Sequence, residues 1–136
     1  MEIIIKNLED IPNGDLEWVA SIAQQYLGDK IHQIVFWDMA QDLDDYEGGG
    51  SVTITTDKAR IVGYAYNYDE GLEAITVSLY LDEKEIRDVQ KEISKEISLT
   101  KAKDNSGKPC FRGRVNIDLY GAIEKVLEVM SKIKSL

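Results

Sequence analysis

The stretch that most constrains the fold is SVTITTDKARIVGYAYNYDEGLEAITVSLYL, residues 51–81. Apolar and polar residues alternate through it in three runs, and two short turn sequences separate the runs. Period-two alternation places successive side chains on opposite faces of a strand. TDKA suits a two-residue turn at Asp57–Lys58, which pairs Ile54 with Ile61 and Val52 with Gly63. DEG suits a three-residue loop at Asp69–Gly71, which pairs Ile61 with Leu79, Gly63 with Val77 and Ala65 with Ile75. Both turns then give one apolar face: Val52, Ile54, Ile61, Gly63, Ala65, Ile75, Val77 and Leu79. Gly63 and Ala65 leave room on it for a helix. The opposite face carries Ser51, Thr53, Thr55, Arg60, Val62, Tyr64, Tyr66, Tyr68, Thr76, Ser78 and Tyr80. An antiparallel sheet with one covered face has this pattern.

The flanking segments supply more strands and three helices. EIIIK reads as a strand, IPNGD as a turn, and Asp15 as a helix cap. Leu16, Val19, Ala20, Ala23 and Leu27 share one helical face, Trp18 lies nearly opposite, and Gly28 suits a helix end. IHQIVFWDM is a second strand, apolar on both faces. Asp82 with Glu85 matches a capping box for a helix reaching about Leu99. Its narrow stripe of Ile86, Val89, Ile93 and Ile97 marks a helix lying on the sheet. TKAKDNSGKP reads as a basic loop. CFRGRVNI alternates, with Phe111, Val115 and Ile117 on one side and Cys110, Arg112, Arg114 and Asn116 on the other. A last helix, capped by Asp118, has a wide apolar stripe. The expected order is β-α-β-β-β-β-α-β-α, a single α+β domain over 1–136 with a mostly antiparallel sheet and helices packed on one face.

Charge is uneven along the chain. The net charge is −9. Residues 1–50 hold eleven acids and two bases, a balance of −9, while residues 51–136 hold fourteen of each. An acidic field repels phosphates, so direct nucleic-acid binding is disfavoured, and it accelerates encounter with a basic protein. The N-terminal residues do not resemble a signal peptide, and no apolar run approaches the roughly 20 residues of a bilayer span. A single cysteine fits a reducing compartment. The expectation is a cytoplasmic protein with no membrane association.

The densest acidic stretch is DMAQDLDDYEGGG, residues 38–50. It does not match a calcium loop of EF-hand type. Counting from Asp42, Tyr46 takes a ligand position, Glu47 takes the glycine position, and Thr53 stands where the bidentate Glu belongs. It does not match a phosphate loop either, because the glycines precede a strand and acids surround them. His32 and Cys110 have the residue types of a nucleophilic dyad, but nothing in their spacing joins them. No catalytic residue, metal ligand or cofactor is assigned.

The most specific feature is the tyrosine row. Tyrosine beside Ser and Thr gives a protein interface large contact area at little entropic cost, and the same row can also serve only to pack the sheet. The expected function is an acidic protein-binding module acting by association. Such a module could be an inhibitor, immunity or anti-defence protein that blocks a basic, nucleic-acid-binding surface. Asp38, Asp42, Asp44, Asp45 and Glu47 would steer the encounter, and Tyr46, Tyr64, Tyr66, Tyr80 and Trp18 would make contact. Homo-oligomers are compatible with this reading. The alternative is a small-molecule-binding or metal-assisted enzyme domain with its pocket near the tyrosine face.

Overall fold

The computed structural model describes residues 2–6, 14–38, 50–65, 74–115 and 120–136. They form an α+β domain with seven strands and three α-helices. The strands are β1 (Glu2–Lys6), β2 (Gln33–Asp38), β3 (Gly50–Thr55), β4 (Ala59–Ala65), β5 (Ala74–Leu79), β6 (Thr100–Lys103) and β7 (Pro109–Val115). The helices are α1 (Gly14–Leu27), α2 (Glu83–Ile93) and α3 (Tyr120–Ser131), and a 3-10 turn (Gly28–Lys30) follows α1. One sheet contains all seven strands in the order β1-β2-β3-β4-β5-β7-β6. Only β1 and β2 are parallel. A parallel pair needs a long crossover, and α1 lies within it.

The covered face is the one the alternation indicates. Ile34, Phe36, Val52, Ile54, Ile61, Ile75, Val77, Leu79 and Val115 are buried, together with the apolar stripes of α1, α2 and α3. Gly63 is where α1 docks: a Cβ there would lie 3.5 Å from both Val19 methyl groups. Helix α3 buries Ile123, Val126, Leu127 and Met130. Its last turn is closed by Lys30, whose Nζ donates to the Ser131 and Ile133 carbonyls at 2.8 and 2.7 Å. A cation at a helix C-terminus satisfies carbonyls that have no partner inside the helix.

Four expectations change. The β3–β4 pairing is as expected, with Ile54 opposite Ile61 and Val52 opposite Gly63. The β4–β5 pairing is shifted by two residues, so Ile61 faces Val77, Gly63 faces Ile75 and Arg60 faces Ser78. A two-residue slip keeps every side chain on its face, so the buried set is unchanged. Helix α2 begins as expected, with Asp82 Oδ1 accepting from the Glu85 N–H at 2.8 Å, but ends at Ile93 rather than near Leu99. The chain turns there, and the Gln90 amide holds the returning strand by donating to Ile97 O at 2.8 Å and accepting from Leu99 N at 2.7 Å.

The expected basic loop is instead a hairpin. Thr100–Lys103 pairs with Pro109–Arg112, and the loop residues Asn105–Gly107 end with Gly107 at φ 86°. Three-residue hairpin loops favour glycine at this left-handed position. Finally, α1 starts at Gly14, so Asp15 lies within the helix rather than before it. The expected Asp118 cap lies outside the described residues.

Candidate site: the polar sheet face and its two ends

Among the described residues the helices lie on one face of the sheet only, and the other face is polar. Its central rows follow from the register. Gln33, Thr55, Arg60, Ser78, Arg112 and Thr100 line up across six strands. Val35, Thr53, Val62, Thr76 and Arg114 form the next row. Trp37 shares this parity, opposite Ser51, and is 40% exposed. Trp18, by contrast, is half-buried and packs against the core. The more exposed of the two indoles is therefore on the sheet. Alternation in IVFWD carries that signal, because Ile34 and Phe36 face the core while Val35 and Trp37 do not.

The two ends of the strands differ in what they carry. At one end lie Lys6, Asp38, Gly50, Ala65, Ala74 and Val115, as the pairings Lys6–Trp37, Asp38–Gly50, Gly50–Ala65 and Ile75–Val115 require. The chain leaves or enters the sheet here for segments 7–13, 39–49, 66–73 and 116–119. In sequence these segments contain Glu9, Asp10, Asp42, Asp44, Asp45, Glu47, Asp69, Glu70, Glu73 and Asp118, and no Lys or Arg. Removing these ten from 25 acids leaves 15 against 16 bases, a balance of +1. The net charge thus belongs to four connections anchored at a single end of the sheet. Counted along the sequence instead, the same net charge falls in residues 1–50.

The other end is closed by short turns. Thr56 N donates to Ala59 O, and the C-terminal Leu136 O accepts from Lys58 N. Here the β6–β7 hairpin tip meets Tyr80. The Tyr80 hydroxyl donates to Asp104 Oδ2 at 2.9 Å, and Lys108 Nζ sits 4.9 Å from the centre of the Tyr80 ring. Asp104 Oδ1 also accepts from the Ser106 hydroxyl, Ser106 N and Lys108 N. These donors, the Ser106 hydroxyl foremost, hold the Asp104 carboxyl well below the usual carboxylate range. Partial burial, aided by the hydrogen bond to Asp104, pushes the Tyr80 phenol up. Tyr80 is therefore a clasp between the sheet and the hairpin as well as a face residue. Nearby, Lys101 pairs with Glu83 at 2.6 Å and lowers that carboxyl through the hydrogen bond.

Two polar grooves open on this end of the face. One, of about 260 Å³, is lined by Arg60, Val62, Thr76, Ser78, Tyr80, Asp104, Asn105 and Arg112. The second, of about 510 Å³, shares Arg60, Tyr80 and Asp104 with it and runs toward Gln33 and Thr53. A third, more apolar groove of about 610 Å³ lies beside Leu81, Ala102, Pro109 and Phe111.

Tyr64 lies in β4 opposite Ser51 and Ala74, and Asp38 ends β2 opposite Gly50; their side chains lie outside the described residues. Asp42, Asp44, Asp45, Tyr46, Glu47 and Tyr66 lie wholly outside them. His32 and Cys110 are not joined. His32 Nε2 pairs with Asp57 Oδ1, while Cys110 is buried and its sulfur is 4.0 Å from Arg112 Nη2. Among the described residues no three His, Cys, Asp or Glu side chains gather to hold a metal, and no helix is long and apolar enough to cross a membrane. Comparison with protein families, curated proteins and solved structures finds no match for the chain.

Proposed function

We propose that this protein is a small acidic binding module that works by association and docks on a basic protein surface, such as the nucleic-acid-binding face of an enzyme or toxin. The observation that carries this reading is topological. Ten acids and no base occupy four connections that each join the sheet at the same end, two linking neighbouring strands and two leading from a strand to a helix. Charge gathered at one pole of a rigid scaffold steers a basic partner far better than the same charge scattered over a surface. Trp37, in the strand that runs into the acidic 39–49 connection, supplies an exposed aromatic beside that pole. Buried aromatic anchors carry much of the energy at protein interfaces. Asp38, Asp42, Asp44, Asp45, Glu47 and Tyr46 are the steering and contact residues in this reading.

The test uses the intact protein as bait and a variant with Asp42, Asp44 and Asp45 changed to Asn. A partner identified from the wild-type capture is purified, and its association rate is measured at low and high salt. The wild-type rate falls about tenfold or more with salt, because steered encounters depend steeply on ionic strength. The variant starts slower and responds less. A rate indifferent to salt, or capture by the variant at wild-type strength, defeats the proposal.

A further inference from the structure

We infer that the polar groove at the opposite end of the sheet is a binding site for a small oxyanion, of the phosphomonoester or carboxylate class, held between Arg60 and Arg112. The register places these two residues on either side of Ser78, on strands β4, β5 and β7. Strand spacing puts their Cα atoms roughly 10 Å apart. Long side chains converging from that distance can hold one anion between them, and both line the same cavity.

The groups around the arginines are already committed. Arg112 Nε donates to the buried Ser78 hydroxyl at 3.1 Å and Nη2 makes a weak contact to the Cys110 sulfur at 4.0 Å, which fixes the guanidinium over the sheet and leaves Nη1 for another acceptor. Neither Arg60 nor Arg112 forms a salt bridge among the described residues. Two carboxylates do line the joined grooves, but each is engaged elsewhere. Asp104 accepts from Ser106, Lys108 and Tyr80, and Asp57 pairs with His32. Arg60, Arg112 and Lys108 against Asp57 and Asp104 leave the grooves at +1, on a chain of net charge −9.

A guanidinium pair with no salt-bridge partner, whose neighbouring carboxylate is held by other donors, is suited to a planar or tetrahedral oxyanion, which it can bind bidentately. The shared boundary of the two grooves lets the body of such a ligand extend past Tyr80 toward Thr55 and Gln33. Thr56 lines that extension, is 4% exposed, and its hydroxyl has no hydrogen-bond partner among the described residues. The two grooves, about 260 and 510 Å³, together fall well within the range of ordinary ligand pockets and have room for a small phosphorylated or dicarboxylic metabolite. This site stands apart from the acidic pole and does not depend on the association reading.

The test is a set of amide-resolved NMR titrations of the full chain with inorganic phosphate, phenyl phosphate and succinate, and with sodium chloride at matched ionic strength. Saturable shifts at Arg60, Ser78, Tyr80 and Arg112, absent with chloride, are expected with at least one oxyanion. Response to the phosphates but not succinate assigns the phosphomonoester class, and the converse assigns the carboxylate class. Arg60→Gln weakens binding roughly 10-fold or more, the size of one charge-assisted hydrogen bond. Arg112→Gln does the same, with circular dichroism reporting whether its sheet persists. Should Arg112→Gln fail to fold, Arg60→Gln decides alone, because the Arg60 side chain makes no hydrogen bond among the described residues and the substitution leaves its backbone pairing in place. Unsaturable shifts, equal shifts with chloride, or unchanged affinity in Arg60→Gln overturn the site.

Discussion

Gly113 is the position at which one added methyl group should do the most damage. It lies in β7 opposite Val77, on the covered face, where the chain leaving α2 crosses the sheet. A Cβ at residue 113 would stand 2.6 Å from Ile97 Cγ1, 2.6 Å from the Ser98 carbonyl oxygen and 2.8 Å from Ile97 Cδ1. One obstacle is backbone and the other is a side chain only 3% exposed, so neither can swing aside. Overpacking of this kind costs about 1–3 kcal/mol, and two stiff obstacles put this case at the upper end. Removing a strand glycine returns about 0.5–1 kcal/mol of backbone entropy. The net loss for Gly113→Ala is thus about 2 kcal/mol, or roughly 6–10 °C in melting temperature at this chain length. Gly63→Ala is the internal control. Its Cβ would sit at 3.4 Å from Val52 and 3.5 Å from Val19, ordinary contact distances, so its stability should stay within about 0.5 kcal/mol of wild type or rise slightly. Urea unfolding followed by tryptophan fluorescence gives both values, with the midpoint expected to move and the slope to hold. If Gly113→Ala unfolds with wild-type stability, or if Gly63→Ala loses as much, the close crossing at residues 97–98 is not a real constraint.

Two smaller effects can be read by the same unfolding assay. Asp82→Ala removes the oxygen that caps α2 and should cost about 1 kcal/mol, whereas Asp82→Asn should keep most of it; equal losses would deny the cap its role. Asp104 is more acidic in the folded hairpin than an ordinary carboxyl, so its ionised form favours the fold. That contribution is complete above the unfolded value of about 3.9 and disappears as pH falls below it. The stability gap between wild type and Asp104→Asn should therefore hold from neutral pH down to about pH 4–5 and narrow from there toward about pH 2, and a gap that stays constant down to that last pH would contradict the assignment.

What the sequence makes legible is the assignment of residues to faces. Burial follows from alternation, and alternation survives a slip of two residues, which is why Val52, Ile54, Ile61, Val77 and Leu79 are identifiable while the β4–β5 register is not. Strand β6 is illegible for a different reason. TKAK buries almost nothing at the sheet edge, so no hydrophobic pattern announces it. The signal it does carry is the turn chemistry of DNSGK, where Asp104 gathers the loop amides and Gly107 takes the left-handed conformation. The end of α2 has no Gly or Pro to mark it, and the decisive group is the Gln90 side chain bonding to residues 97 and 99. The arginine groove needs three strands in register before Arg60 and Arg112 become neighbours of Ser78. Sequence distance hides such a pair. Most of the acidic and tyrosine residues expected to meet a partner fall outside the described residues, so for them the chain contributes only the positions at which it enters and leaves the sheet.

The two outer strands of the sheet have unlike consequences for solubility. An unpaired strand edge is a template on which further strands can add. On β6 that edge carries Lys101 and Lys103, both exposed, and an incoming strand would have to bury or neutralise them. On β1 the outermost residues include Ile3, 53% exposed, and the strand itself carries no Lys or Arg before Lys6. Any aggregation by sheet extension should therefore grow from the N-terminal strand. A single lysine at position 3 is the smallest change that would give this edge the protection the other already has.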